Sequence, residues 1–175
     1  MGDEIKRLCS AERLVPFITE PPIDRGDPNT RTFLLSPSVN GALERGLARG
    51  IVRWESAGFD LTQYCEGEQV TVRRLGYDRD ADIPAFFVFL EQRNEEPPDV
   101  WEVRFTTFRP QIRIFGSFYC RNRFVGLTWS NKDDVDYPEE MRGCVAAWVD
   151  VFGVTVFPYR GAFPDGYLSR TQLVP

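Results

Sequence analysis

The chain has no histidine among its 175 residues. Every Ser–His, Cys–His or two-histidine metal mechanism is therefore closed to it, and acid–base work falls to Asp, Glu, Lys, Tyr, Arg or Cys. What the chain does offer is a concentration of cations. Between Trp101 and Lys132, the residues Arg104, Arg109, Arg113, Arg121, Arg123 and Lys132 stand against Glu102 alone, a local charge of +5. Directly after it, Asp133, Asp134, Asp136, Glu139, Glu140 and Asp150 stand against Arg142 alone, a local charge of -5. Guanidinium groups match phosphate in a two-pronged way, and cations stabilise the charge that builds on phosphate oxygens in phosphoryl transfer. The bland alternative is that these opposite charges pair with one another on a solvated surface. The whole chain carries -5, with a pI near 4.9, which opposes indiscriminate binding to nucleic acid.

The other reactive side chains point nowhere specific. Cys9, Cys65, Cys120 and Cys144 are widely spaced, with no Cys-x-x-Cys pair, so free thiols are expected, with no metal site and no cofactor. The basic neighbours of Cys120 would lower its pKa.

The cationic stretch lies in three strand-like runs with short connections: Val100 to Phe105, Gln111 to Tyr119 and Arg123 to Trp129. A polar turn, Ser130 to Asp134, follows, and Pro138 opens an amphipathic run to Trp148. This block resembles the C-terminal half of the RelE/ParE superfamily, the small toxins of bacterial toxin–antitoxin pairs and their phage and plasmid relatives. In that family a W-E-[IL]-R strand is followed by a y-R-[IV]-[LF]-[FY] strand, an [IV]-x-L-x-x-F strand, a lysine-rich turn and a helix begun near Pro-x-x-[EM]. Trp101 to Arg104, Arg113 to Phe115, Val125 to Leu127, Lys132 and Pro138 to Met141 fall at matching spacings.

The resemblance implies an α+β fold: a small antiparallel sheet packed by N-terminal helices and a C-terminal helix. It implies a metal-independent endoribonuclease acting on ribosome-bound mRNA and neutralised by a cognate antitoxin. Arg113 would then be the phosphate-binding arginine of the central strand, Lys132 the first lysine of the turn, and Tyr137 a phenolic acid. Tyr119 would be a stacking platform, and Arg104, Arg121 and Arg123 would contact the RNA backbone or an acidic partner. Asp133 stands where the family has its second lysine. This departure, with the net acidity, supports a different reading: a non-catalytic module of a phage or mobile element that docks to a host protein.

The surrounding elements must hold these residues in place. A chain of this length fits one domain and buries about 70% of its unfolded surface. We read a helix and irregular arm over residues 1–35, an α+β domain over 36–150, and an extension over 151–175 packed on that domain. A first helix spans Asp3 to Val15, and the Pro/Asp/Gly-rich stretch from Pro16 to Thr30 reads as an arm. Ser36-Pro37 starts a helix, with Ser as the capping acceptor and Pro in the first turn. Val39, Leu43, Leu47, Ile51 and Trp54 give that helix one apolar face, ending near Gly58. Gln69 to Leu75 alternates like a strand, Asp78 to Asp82 is a charged loop, Ile83 to Leu90 reads as a short helix, and Glu95 to Asp99 is a break. Asn122 suits the turn of an antiparallel hairpin, and Met141, Cys144, Val145 and Trp148 form the sheet-facing side of the last helix. The tail Phe152 to Pro175, full of Gly, Pro and aromatics, is expected to add an edge strand and an irregular extension. No apolar run approaches the roughly 20 residues of a membrane span. With no secretory signal evident at the start of the chain, a cytoplasmic location is expected.

Overall fold

A computed structural model describes residues 2–19, 30–74, 85–90 and 99–174. Four helices are present among them: α1 (Asp3–Ser10), α2 (Pro37–Ala48), α3 (Val52–Cys65) and α4 (Tyr137–Phe152). The strands are β1 (Val15–Pro16), β2 (Thr32–Leu35), β3 (Val70–Arg74), β4 (Phe87–Leu90), β5 (Val100–Phe105), β6 (Ile112–Cys120), β7 (Arg123–Asn131) and β8 (Thr171–Leu173). All eight join one mixed sheet in the order β1-β2-β7-β6-β5-β4-β3-β8. β2 runs parallel to β7, and β3 runs parallel to both β4 and β8, while the remaining pairs are antiparallel.

The α+β class matches the expectation, but the sheet is larger than the small antiparallel one anticipated, and it is mixed. The reason lies in Phe33-Leu34-Leu35 and Phe87-Val88-Phe89-Leu90, which are buried throughout. A strand covered on both faces shows no polar alternation, so periodicity cannot separate it from a helix or a chance apolar run. For this reason the segment read as a short helix is β4, and β2 emerges from what was read as the arm. The expected arm at residues 20–29 and the charged loop at Asp78 to Asp82 lie outside the described residues, as does most of the break before β5.

Two layers of helix cover the sheet. Phe33, Phe87, Trp101, Val103, Ile112, Ile114, Phe118 and Phe124 form a core with Val39, Leu43, Trp54, Leu61 and Tyr64 of α2 and α3. Leu34, Val88, Phe115, Val125 and Leu127 form a second core with Ile5 and Leu8 of α1 and Cys144 and Trp148 of α4. Along β6 the even-numbered residues face α2 and α3 and the odd-numbered ones face α4, as the alternation predicts. In β7 a bulge disturbs this: Gly116 opposes Gly126, yet Phe115 opposes Thr128, so Leu127 is the extra residue.

The helix expected to run through Val39 and Trp54 is two helices. Ser36 caps the first as anticipated, its Oγ accepting from Val39 N at 3.3 Å and donating to the Leu127 carbonyl at 2.7 Å. Gly50 then adopts φ +60°, the chain turns, and Trp54 folds back onto α2. Its indole lies where a Cβ on Gly46 would sit, 2.2 Å away, which explains a glycine inside a helix.

The ends of the chain belong to the sheet. The tail beyond α4 supplies the expected edge strand at Thr171–Leu173, parallel to β3, and not at Val154 to Tyr159. The extension instead packs on the α2/α3 face, where Phe163 stacks on Trp101 with centroids 5.8 Å apart. Arg31, buried, fastens this region. Its guanidinium donates to the carbonyls of Tyr64 at 3.1 Å, Glu68 at 2.7 Å and Ser169, and lies 5.2 Å from the centre of the Tyr64 ring. Burial pulls its pKa down.

Two predictions follow from this packing. A Cβ at Gly116 would meet the Val125 carbonyl oxygen at 2.0 Å, whereas one at Gly143 on α4 meets nothing within 4 Å. Gly116→Ala should lose about 1–3 kcal/mol or more, and Gly143→Ala should gain up to about 1 kcal/mol from helix propensity; urea unfolding of the two variants checks both. Burial also pushes the Cys65 thiol from its ordinary 9.0 to about 12 and the Tyr64 phenol well above its ordinary value. The folded chain keeps protons that the unfolded chain releases above pH 9.0. Stability should thus fall as pH rises from 9.0 toward about 12, and Cys65→Ala should flatten that fall in a Tm series.

Candidate functional site

At the end of the sheet beneath the start of α4, one carboxyl gathers several of the basic residues. Glu102 sits on β5 with no exposure to solvent. Its Oε2 accepts from Arg104 Nε at 2.9 Å and from Arg104 Nη2 at 2.7 Å. Its Oε1 lies 2.8 Å from Arg113 Nε on β6 and accepts from the Tyr137 hydroxyl at 3.2 Å. The Arg113 contact is an ion pair whose N–H axis misses the oxygen, since Nε has no aligned hydrogen bond. Arg113 instead spends its other nitrogens on the Ile112 carbonyl at 3.0 Å and Gln111 Oε1 at 2.8 Å.

Local structure dictates this convergence. Residues two apart on a strand share a face, so Glu102 and Arg104 point together toward α4. The β5–β6 register sets Arg104 directly opposite Arg113 and Glu102 opposite Phe115. Asp136 caps α4, its side chain accepting from Glu139 N at 3.1 Å, and this holds Tyr137 over the sheet with its ring edge-on to Phe115 at 6.3 Å. On β7, Ser130 opposes Arg113 and its hydroxyl donates to Glu140 on α4. A further cation enters from β3: Arg73 aligns with Val88 on β4, and Val88 aligns with Glu102. Arg73 and Glu102 thus flank Val88 on one face of the sheet.

The electrostatics are lopsided. Three guanidinium groups face one carboxyl. Burial lowers the pKa of Arg73, and its like-charged neighbour Arg104 lowers it further. Burial likewise lowers that of Arg113, opposed by Glu102 and reinforced by Arg104. Burial and then Glu102 raise that of Tyr137, which holds it as a neutral phenol, a proton donor, at neutral pH. Arg113 is 3% exposed and walled in, while the Arg104 side chain retains 15% exposure and Tyr137 and Arg73 are half-buried. The solvent-facing rim of the cluster therefore consists of Arg73, Arg104 and Tyr137.

The structure brings together Arg104, Arg113 and Tyr137, and leaves the other candidates apart. Lys132 is exposed in the 3-10 turn Lys132–Asp134, its backbone N–H donating to the Gln111 carbonyl at 2.8 Å, two residues past the strand position opposite Arg113. Tyr119, Arg121 and Arg123 lie at the far end of the β6–β7 hairpin, roughly 20 Å from Arg113 along the strand. There Tyr119 stacks on Phe152 with centroids 5.5 Å apart, and Asn122 takes φ +63° in the turn. Cys120 does not have the lowered pKa expected from its neighbours. Burial raises it, and this outweighs the opposing pull of Arg123.

Glu102 as the hub is legible only as the one acid in a basic stretch, and Arg73 carried no signal, because its link to the site runs through β3–β4 and β4–β5 pairing. Among the described residues no group of His, Cys, Asp or Glu is arranged to hold a metal ion, and no helix is long and apolar enough to cross a membrane. Comparison with protein-family models, with curated proteins and with solved structures found no match to this chain.

Replacing Glu102 strands buried cations. Glu102→Gln should cost about 3–5 kcal/mol, the usual loss when one partner of a buried ion pair is removed. Denaturant unfolding of this variant reads the loss directly, and a change below about 1 kcal/mol would mean that the ion pairs do not hold the site together.

Proposed function

We propose that this chain is a RelE/ParE-like toxin-family protein that cleaves ribosome-bound mRNA and is neutralised by an antitoxin. The observation that supports the reading is the convergence of Arg104, Arg113 and Tyr137, from β5, β6 and the start of α4, at one end of the sheet. The antiparallel run β5–β6–β7, then a turn and α4, with helices α2 and α3 earlier in the chain, is also the order the resemblance implies.

In this reading the ribose 2′-hydroxyl gives its proton to solvent water as its oxygen attacks the adjacent phosphorus in line, and the bond to the 5′-oxygen breaks. Arg104 offsets the charge on the phosphate oxygens, and Lys132, which stands apart from the cluster on its exposed turn, contacts the RNA backbone beside it. Tyr137 gives its proton to the departing 5′-oxygen. Arg113, being buried, is a positioning residue that acts through Glu102. Such work belongs in the cytoplasm, where ribosome and mRNA are the partners.

A second reading is favoured by a specific feature. Glu102 occupies two arginines and the tyrosine, Asp133 and Asp134 are exposed beside Lys132, and Val154 and Phe157 on the extension are 73% and 71% exposed. These suit a non-catalytic module of a phage or mobile element that docks to a host protein.

The two readings part on one experiment: controlled induction in a bacterial host, with mapping of mRNA 5′ ends. Ribosome-dependent cleavage should arrest translation. Tyr137→Phe and Lys132→Ala, both outside the buried core, should each weaken cleavage, Tyr137→Phe by roughly 100-fold. Intact mRNA and undisturbed growth with folded protein would overturn the nuclease reading in favour of the docking module.

A further inference from the structure

We propose that Arg73 and Arg104 form a seat for a phosphate-sized oxyanion at the open rim of the Glu102 cluster. The inference rests on the same site as the toxin-family reading but not on its chemistry, and Arg73 lies on β3, outside the block that carries the family resemblance.

The first support is charge. Arg104 and Arg113 pair with a single carboxyl, Arg73 lies in register with it across Val88, and Glu102 already spends one oxygen on Arg104 and the other on Arg113 and Tyr137. Arg73 makes no ion pair with any acid among the described residues. A partly desolvated guanidinium beside a like charge is costly unless an anion joins it. The second support is geometry. Arg73 and Glu102 flank Val88 on the same sheet face, and Glu102 holds the Arg104 guanidinium at 2.7 Å, so both cations border one short apolar residue. The Arg73 fork, with the N–H groups that Arg104 does not spend on Glu102, supplies planar donors of the kind that suit phosphate. The third is access: these side chains form the exposed rim, whereas Arg113 does not.

Titration of the full-length protein with inorganic phosphate, followed by calorimetry and by phosphorus NMR, tests the seat without ribosomes or cleavage. Saturable one-to-one binding is expected, weakened at least about tenfold, or ~1.4 kcal/mol, in Arg73→Gln. Arg73 is half-buried and makes no ion pair among the described residues, so this variant should be at least as stable as the wild type without phosphate; Arg73→Lys, which retains the charge but not the fork, should recover only part of the affinity. Competition then identifies the source of the phosphate. Displacement by a single-stranded RNA oligonucleotide would assign the seat to a nucleic-acid backbone, and indifference to RNA would assign it to a free phosphate or phosphomonoester. Equal phosphate binding by wild type and Arg73→Gln, or none by wild type, would overturn the proposal. So would displacement by polyglutamate of a ligand that phosphate cannot displace, since the seat would then belong to an acidic protein partner. Failure of mRNA cleavage alongside Arg73-dependent phosphate binding would remove the nuclease reading and leave the seat standing.

Discussion

A carboxyl group wholly removed from water constrains everything around it. Glu102 can be accommodated inside the sheet only because Arg104, Arg113 and Tyr137 meet its two oxygens at 2.7–3.2 Å. That requirement fixes the register of β5 against β6, since sliding either strand by one residue would turn these side chains onto the apolar α2/α3 face. It also fixes where α4 begins, because the Asp136 cap and Tyr137 must lie over the same end of the sheet. The cluster that is the best candidate for function is therefore also a register pin, and its buried member, Arg113, is more a holder than a reagent.

Around this polar end the rest of the sheet is close-packed on both faces, and glycine marks the tightest places. Gly116 lets the β7 backbone approach, Gly46 lets Trp54 lie against α2, and the bulge at Leu127 brings Thr128 and Ser130 back to the α4 side. Without that bulge, Ser130 would face α3 and could not reach Glu140. Function at one end of the sheet thus depends on an irregularity several residues away.

The extension beyond α4 is part of the core itself. Phe163 and Tyr167 close the aromatic core over Trp101, and β8 adds a strand outside β3. Arg31 joins the end of α3 to Ser169 through backbone carbonyls, a buried cation that pairs with no carboxylate among the described residues. Because β3 is held between β4 and β8, Arg73 is placed at the rim of the Glu102 cluster by strands from three distant parts of the chain.

Local signals in the sequence determined the local elements. Ser36-Pro37 and Asp136 with Pro138 set helix starts, Asn122 set a hairpin turn, and strict alternation set β6 and its two faces, because each rests on backbone chemistry within a few residues. The same alternation puts Glu102 with Arg104 on one face, whereas Arg113 and Tyr137 are candidates through the family resemblance. Tertiary structure alone decided the rest. Strands β2 and β4 are covered on both sides and so lack polar alternation, the Gly46–Trp54 contact folds one apparent helix into two, and the bulge resets the faces of β7. Arg73 joins the site, while Tyr119, Arg121 and Arg123 stand at the far end of the hairpin, because pairing between strands distant in sequence leaves no periodic trace in the chain itself.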